Sequence, residues 1–397
     1  MLTEIAPGVF WVGAVDWALR RFHGHELSTN HGSTYNAYLI IDDKVTLIDT
    51  VWGPFQDVLM KNISEIIDPS KIDIVVASHA EVDHSGSLPE VLRHCPEADV
   101  IVSQRGLESI PGHYRQPWRF KAVKTGDSVS IGKRTLQFIE APMLHWPDNL
   151  FTYLEGDGVL FSSDAFGEHY AMSGRFNDQA NQDVLNWEAV KYYANILNPF
   201  AVMVGRKIDE LSSLGLPINI IAPSHGVIWR HDPMQIVKKY REWAEQKPEC
   251  SAVIVYDTMW QATRHMAEAV GEGLSEGGVP FKMYNASTAD RNNVMTEIFL
   301  SKAVILGSPT FNQGMLPTMA PVLEDMKGLK FKNKIGAAFG TYGWSGEVVD
   351  VLENYLKACQ IELAAPGVKA KWRPGPEELE ACRGLGRTMA EACKAGG

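Results

Sequence analysis

Four potential metal ligands crowd into one short turn of this chain. The stretch SHAEVDHSG, residues 78–86, holds His79, Glu81, Asp83 and His84, directly behind the apolar run IDIVVA. Three further ligand types stand in equivalent places. His145 follows TLQFIEA, Asp164 ends GVLFSS, and His225 follows INIIAPS. Short runs rich in Val and Ile that stop at small or turn-forming residues read as strands. Taken singly, a lone His is more often packed, and a strand-end Asp more often caps a turn. Seven ligand types that all fall behind apolar strands can converge on one sheet edge, and that constrains the fold. Carboxylates mixed with imidazoles suit iron, manganese or zinc rather than copper or a cysteine-held metal. The alternative for residues 78–86 is a solvated polar turn.

The 397 residues are too many for one ordinary core, so two domains are expected. Apolar content of 45% and charged content of 21% exclude general disorder. No run of about 18 apolar residues predicts a membrane span. The start, MLTEIAPGVFWVG, lacks a basic segment followed by an apolar one, so no signal peptide and a cytoplasmic location are expected. A net charge of −11 argues against nucleic acid as a partner, because phosphate binding needs a basic surface. The five cysteines (Cys95, Cys250, Cys359, Cys382, Cys393) are dispersed, with no C-x-x-C. They read as reduced, mostly structural thiols, and they exclude a fused rubredoxin or cysteine-held iron–sulfur module.

The first part carries strand patterns in TYNAYLII, VTLIDT, IDIVVASH, ADVIVS, TLQFIEA, GVLFSSDAF and INIIAPSH. Helical patterns lie at 53–67 and 87–95, a long one covers 184–214, and a closing one spans 238–246. This predicts two sheets with helices outside. A boundary falls at QKPECS, 246–251, which separates a domain 1–248 from a domain 249–397. Beyond it the rhythm becomes regular. SAVIVYDT, PFKMYNA, AVILGSPT, KIGAAFGTYGW and IELAAPGVKAKW alternate with helices near 262–277, 290–300, 315–327, 346–359 and from 376. Five strands alternating with helices predict a doubly wound parallel sheet.

Three loops at the ends of those strands suggest a flavin mononucleotide site. In YDTMWQATRHMAEAV, Thr258 and Thr263 bracket Met259, Trp260, Gln261 and Ala262 at a helix start, where backbone N–H groups can surround a phosphate. The loop is neither a G-x-G-x-x-G nor a Walker loop. GSPTFNQG and FGTYGWSGE follow the third and fourth strands. In a sheet of this kind the cofactor sits at the carboxyl ends around the switch point. Pro309, Thr310 and Asn312 can meet a flavin from one side. Gly340, Tyr342, Gly343 and Trp344 can meet it from the other, with aromatic rings covering the isoalloxazine. The alternative is a flavodoxin-like fold without a cofactor.

The motif H-x-E-x-D-H-x-G, with His145, Asp164 and His225 behind it, resembles the metallo-β-lactamase fold family. Glu81, where hydrolase branches usually have His, resembles its flavodiiron branch, the rubredoxin:oxygen oxidoreductase type. The flavin loops follow in the same order, so the resemblance covers essentially the whole chain. It implies an N-terminal metallo-β-lactamase-like αββα sandwich plus a C-terminal flavodoxin-like doubly wound parallel sheet. It implies two Fe ions, one on His79, Glu81 and His145 and one on Asp83, His84 and His225, with Asp164 bridging. His84 follows Asp83 directly, so it either ligates or supports a metal-held water. A carboxylate at position 81 stabilises iron oxidised above the divalent state better than a neutral imidazole does. DWALRRFHGHELS resembles the segment above the metals, with His25 where a Tyr is expected. His23 and His25 are the candidate catalytic residues, as proton donors, or else two surface histidines.

The resemblance further implies reduction of dioxygen to water, of nitric oxide to nitrous oxide, or both, with FMN fed by rubredoxin or a similar small redox protein. It implies a head-to-tail homodimer, alone or as a dimer of dimers. Lys369, Lys371 and Arg373, or the 115–124 region, are candidates for docking an acidic donor. Two rivals remain at this point: a binuclear zinc hydrolase with a flavodoxin-like appendage, and a non-catalytic electron carrier.

Overall fold

The computed structural model describes residues 3–22, 24 and 26–395. The chain divides into two compact units: Met1–Tyr193 with Phe200–Ala244, and Ala194–Pro199 with Glu245–Gly397.

The first unit is built on two packed sheets. Seven strands run in the order Thr3–Ala6, Val9–Trp11, Tyr38–Ile40, Val45–Ile48, Ile72–Val76, Asp99–Ser103 and Arg119–Val123. The last four are parallel to one another. Five more run in the order Ser128–Ser130, Thr135–Glu140, Leu150–Glu155, Val159–Phe161 and Ile220–Ala222. Alternation explains the packing: Ile74 and Val76 of the first sheet meet Phe138, Leu154 and Phe161 of the second in one core. Helices Gln56–Ser64, Leu88–His94 and Gly106–Tyr114 follow first-sheet strands, while Gln182–Tyr192, Ala201–Ser213 and Met234–Ala244 accompany the second. This is the expected αββα sandwich.

The second unit is a parallel sheet in the order Phe281–Asn285, Glu249–Tyr256, Ser301–Pro309, Ile335–Tyr342, with a split fifth strand, Glu362–Leu363 and Val368–Lys371. In chain order that is 2-1-3-4-5, the flavodoxin arrangement with its switch point between the first and third strands. Helices Ala262–Glu276 and Pro376–Ala395 bury Met266, Val270, Cys382 and Met389 against one face. Helices Arg291–Leu300, Ala320–Leu329 and Val348–Ala358 complete the alternation.

Two expectations change, and one strand had not been expected. The long helix over 184–214 is broken: Gln182–Tyr192 passes through a π-turn at Tyr193–Leu197 and a 3₁₀ turn at Asn198–Phe200 before Ala201–Ser213 begins. Pro199 lacks an N–H and disfavours a helical residue before it. Asn195 and Asn198 bond to Asn292 and to Leu329 O, which fixes the break. The run TYNAYLII is two strands, Ser33–Tyr35 and Tyr38–Ile40, in different sheets. Asn36 between them accepts from Trp11 Nε1 and donates to Pro223 O, so its side chain replaces ladder bonding. The strand Leu150–Glu155 is buried on both faces and shows no alternation, which is why its sequence gave no strand signal.

Candidate functional site

The predicted metal ligands meet in one buried pocket of the first unit. Strand Ile72–Val76 ends three residues before His79, and the one-turn helix Val82–Ser85 presents Asp83 and His84. Strands Thr135–Glu140, Val159–Phe161 and Ile220–Ala222 lead to His145, Asp164 and His225. The donor atoms of His79, Glu81, His145 and Asp164 lie within 4.8 Å of one another, as do those of Asp83, His84 and His225. His145 is half-buried; the other six are buried.

Asp164 joins the two groups. Its Oδ2 is 3.0 Å from His145 Nε2 and 3.5 Å from His79 Nε2, while its Oδ1 is 3.1 Å from His84 Nε2. Asp83 Oδ2 is 3.0 Å from both His84 Nε2 and His225 Nε2. Glu81 Oε2 is 3.0 Å from His145 Nε2. Donors bonded to a metal at about 2.1 Å stand about 3 Å apart when they subtend a right angle, so these separations suit shared metal centres. His84 Nε2 faces into the pocket, 3.1 Å from His225 Nε2.

Tautomers point the same way. His225 Nδ1 donates to Thr34 O at 2.6 Å, so its Nε2 lone pair is aimed at the other ligands. His79 Nδ1 is 3.1 Å from Ser163 Oγ, which turns its Nε2 inward. His79 Nε2, both Asp83 oxygens and Asp164 Oδ1 are buried without a hydrogen-bond partner. Buried polar atoms without partners are costly, and two cations would satisfy all of them. The donor set and its unfilled atoms therefore fit a metal pair. Without metal, charges within the pocket set the protonation. Burial opposes charge on His84, but Asp83 and Asp164 outweigh it and hold the ring up at about 10. His145 is likewise raised, to about 9, by Asp164 and Glu81 against the effect of burial. Burial raises Asp164, yet the imidazoles of His79 and His84 drive it well below the carboxylate range.

Several residues that the sequence reading missed position the ligands. Asp49 Oδ1 accepts from Ser78 N at 2.7 Å and its Oδ2 from Ser224 Oγ at 3.4 Å, so one carboxylate ties down the residues before His79 and His225. It too stands behind an apolar strand, VTLI, and the strand-end criterion would have found it. Thr50 binds His84 O through both N and Oγ1, at 2.8 and 2.7 Å. Ser85 Oγ lies 2.9 Å from both Ala80 O and Glu81 O and 2.7 Å from Tyr114 OH. The single serine proton serves a carbonyl, so Tyr114 is the donor. Gly226 follows His225 with φ +75, and a Cβ there would stand 2.1 Å from Glu168 Oε1. Trp146 was not missed: its place next to His145 marks it as a wall of the pocket, and it packs edge-on at 6.1 Å from His79. Phe22 packs 5.7 Å from His225. His23 and His25 lie outside the described residues.

In the second unit the three loops stand at the carboxyl ends of strands Glu249–Tyr256, Ser301–Pro309 and Ile335–Tyr342. Gln261, with φ +66, turns the chain into helix Ala262–Glu276. Thr263 is fully buried and shares a 2.9 Å hydrogen bond with Thr341. Thr258 Oγ1 and Thr310 Oγ1 are buried without a partner. Two such hydroxyls beside a helix N-terminus fit a phosphate. Gly340 lies so close to Ser308 O and Val348 that a Cβ would clash. Gly343 carries the flat indole of Trp372, 2.6 Å from where a Cβ would stand. Ala262 and Tyr342 are half-buried and Pro309 is buried in its strand, whereas Met259, Asn312 and above all Trp260 and Trp344, 87% and 94% exposed, project outward. Asp257 was also missed: it is buried, and it holds Thr258 N at 2.7 Å and the Thr318 hydroxyl.

Fold and site together define a metallo-β-lactamase-like unit lined for two metals, joined to a flavodoxin-like unit lined for FMN. The chain belongs to the flavodiiron protein family. A model of the ODP family beta lactamase matches residues 34–226, and a flavodoxin model matches 254–386. The chain is 50% identical to a nitric oxide reductase of Moorella thermoacetica over 97% of each protein. Its structure superposes on rubredoxin oxygen:oxidoreductase of Desulfovibrio gigas with a TM-score of 0.98, at 40% identity, covering 100% of this chain and 99% of that one. The flavodiiron protein of Giardia intestinalis matches with a TM-score of 0.95 at 34% identity, over 100% of this chain and 97% of that one. No helix among the described residues is long and apolar enough to cross a membrane.

Proposed function

We propose that this protein reduces nitric oxide to nitrous oxide, dioxygen to water, or both, at a di-iron centre fed through FMN. The observation that carries the proposal is the buried ligand pocket with a carboxylate, Glu81, in it, in a chain half identical to a nitric oxide reductase. His79, Glu81 and His145 would hold one iron, and Asp83, His84 and His225 the other. Asp164, whose Oδ1 lies beside His84 and whose Oδ2 lies beside His145, would be shared between them. Residues 1–248 carry this centre and residues 249–397 the flavin. When bound, FMN and two irons together hold four electrons, the number that dioxygen reduction consumes.

The chain's own residues supply orientation, exclusion of water and protons. Thr34 O and Ser163 Oγ keep the Nε2 atoms of His225 and His79 turned inward. Trp146 and Phe22 shield the pocket from solvent. His23 follows Phe22 in sequence and His25 stands two residues further on, and proton delivery is assigned to them on that ground. In the second unit the hydroxyls of Thr258 and Thr310 and the loop amides would hold the phosphate, and Tyr342 and Trp344 would cover the flavin ring.

A rubredoxin-type protein is the electron donor, in keeping with the name of the Desulfovibrio gigas relative. Lys369 pairs with Asp350 at 3.0 Å, and Arg119 and Lys121 face Asp99, so those cations are locally neutralised. Lys371 and Arg373, which flank Trp372, are the better docking cations. A head-to-tail homodimer would cover exposed Trp260 and Trp344 and bring one copy's flavin to the other's irons. Free thiols on all five cysteines suit the cytoplasm.

Glu81 and the flavin loops weigh against the zinc hydrolase. The deciding experiment is anaerobic turnover of each gas by the purified protein with a reduced rubredoxin, alongside metal and flavin analysis. Two irons and one FMN per chain with consumption of at least one gas are expected. Two zinc and no iron, or no consumption of either gas by iron- and FMN-replete protein, would overturn the proposal.

A further inference from the structure

A pair of aromatic rings links a metal-ligand position to the surface of the first unit. The ring of Tyr35 stands edge-on to His225 with centroids 6.1 Å apart, and the indole of Trp52 lies 6.1 Å beyond it. Phe55 packs on both, at 5.3 and 6.3 Å, and so fixes their spacing. Tyr35 is 1% exposed, whereas Trp52 is 38% exposed. The Tyr35 phenol donates to Asp16 Oδ2 at 3.4 Å. That bond follows from the local fold. Strand Ala14–Asp16 pairs antiparallel with Ser33–Tyr35, with Asp16 opposite Ser33, which leaves Asp16 diagonal to Tyr35 on the same face. None of Tyr35, Trp52 and Asp16 is among the residues assigned to the metals or the flavin.

We propose that Tyr35 and Trp52 are a discharge path, through which the metal pocket draws a missing electron from the protein surface. The path rests on the di-iron reading. Reduction of dioxygen to two waters takes four electrons and four protons. When the cofactors hold only three electrons, the fourth must come from the chain, and an oxidant left short of it attacks the ligands themselves. Phenol and indole rings give up one electron far more readily than imidazoles or carboxylates do. Tyr35 supplies the electron, and its phenolic proton passes along the hydrogen bond to Asp16. Trp52 then gives an electron to the Tyr35 radical, the proton returns from Asp16 to the phenol, and the indole N–H proton of Trp52 goes to solvent. A small thiol at the surface restores Trp52 with one electron and one proton. Two such events turn two thiols into one disulfide and leave the chain unchanged. A second file of rings also leaves the pocket: Trp146 beside His79, then His113, Tyr114 and Trp118 at 6.2, 6.1 and 5.4 Å. It takes four steps rather than two, and one intermediate ring is an imidazole. Its phenol donates to the neutral Ser85 hydroxyl, which is a far weaker proton acceptor than the Asp16 carboxylate. Tyr35 is therefore the better electron donor.

The test uses the full-length protein with both irons and FMN oxidised, treated anaerobically with one equivalent of hydrogen peroxide. Reduction of peroxide to two waters takes two electrons, and oxidised cofactors have none to give, so both must come from the chain. Peptide mapping should find oxygen added chiefly to Trp52, and added glutathione should keep Trp52 intact. Trp52→Phe should strand the radical on Tyr35, where freeze-quench EPR shows a tyrosyl signal. Tyr35→Phe should remove that signal and cut Trp52 oxygenation severalfold. Asp16→Asn, which leaves both rings in place, should cut it severalfold too, and it carries the test if loss of the buried hydroxyl disturbs the core. Zinc-loaded protein should show no Trp52 oxygenation. The probe needs no gas turnover, so failure to consume nitric oxide or dioxygen bears on the proposed function alone. Oxygenation chiefly at Trp118 or Trp146, no oxygenation of any ring in iron-loaded protein, or equal Trp52 oxygenation in the zinc form or in both Tyr35→Phe and Asp16→Asn would overturn the path.

Discussion

The two units place their functional groups on the same device, the carboxyl ends of sheet strands, but with opposite chemistry. In the first unit those ends bear carboxylates and imidazoles, buried and clamped by side-chain bonds from Asp49, Thr50 and Ser85. In the second they bear hydroxyls, backbone amides and indoles, several of them fully exposed. A metal pair needs several charged donors fixed within a few tenths of an ångström, so it is enclosed by two packed sheets. A flavin phosphate needs only a helix end and neutral donors, and its ring is flat, so an open rim suffices. The difference teaches that one strand-end geometry can hold either cofactor, and that the depth of burial follows from the charge to be held.

The contrast is broken most severely at its most charged point. Asp164→Asn removes the carboxylate shared by both halves of the pocket and leaves raised imidazoles without their counter-charge. Metal content should fall below one per chain, and turnover should drop well beyond the roughly 10–100-fold that loss of an outer partner costs. FMN content should stay at one per chain. Elemental analysis and flavin absorbance read both, and two retained metals would refute the bridging assignment.

A second effect is proton release. In the metal-free protein His84 and His145 are held near 10 and 9, so at pH 7 both rings carry a proton that a metal must displace. Loading iron(II) in weak buffer at pH 7 should release at least about two protons per chain. Apparent metal affinity should rise from pH 7 to pH 9, where those protons are already leaving. FMN binding to neutral hydroxyls should change little over that window. A pH-independent metal affinity would contradict the charge balance described for the pocket.

The smallest effect sharpens the other side. Thr258→Val and Thr310→Val each remove a buried hydroxyl that has no protein partner. Each should weaken FMN binding about tenfold, the size of one hydrogen bond at about 1–1.5 kcal/mol. Metal content should not move. Fluorescence titration of apo-flavoprotein reads this, and an unchanged affinity would place the phosphate elsewhere.

Much of the fold was legible because periodicity survives wherever a strand or helix has one buried face. The five-strand alternation after residue 249 is the clearest case, and the structure returns each of its helices within a few residues. Legibility failed where both faces are buried, as at Leu150–Glu155, and where a side chain substitutes for backbone pairing, as at Asn36. It also failed at 184–214, where helical spacing continues across a break that Pro199 and two asparagines impose. Asp49 was overlooked although it obeys the same strand-end criterion as the ligands, because its role is to tie two distant turns together.

By itself the sequence determined the ligand types, their places behind strands, the two-part architecture and the neutral character of the flavin loops. These are local properties, carried by residue chemistry and spacing. Only the tertiary structure decided that Asp164 reaches both halves of the pocket and that His84 Nε2 faces inward. Each of those depends on distances between residues far apart in the chain, which packing of whole sheets and helices sets and no local pattern encodes.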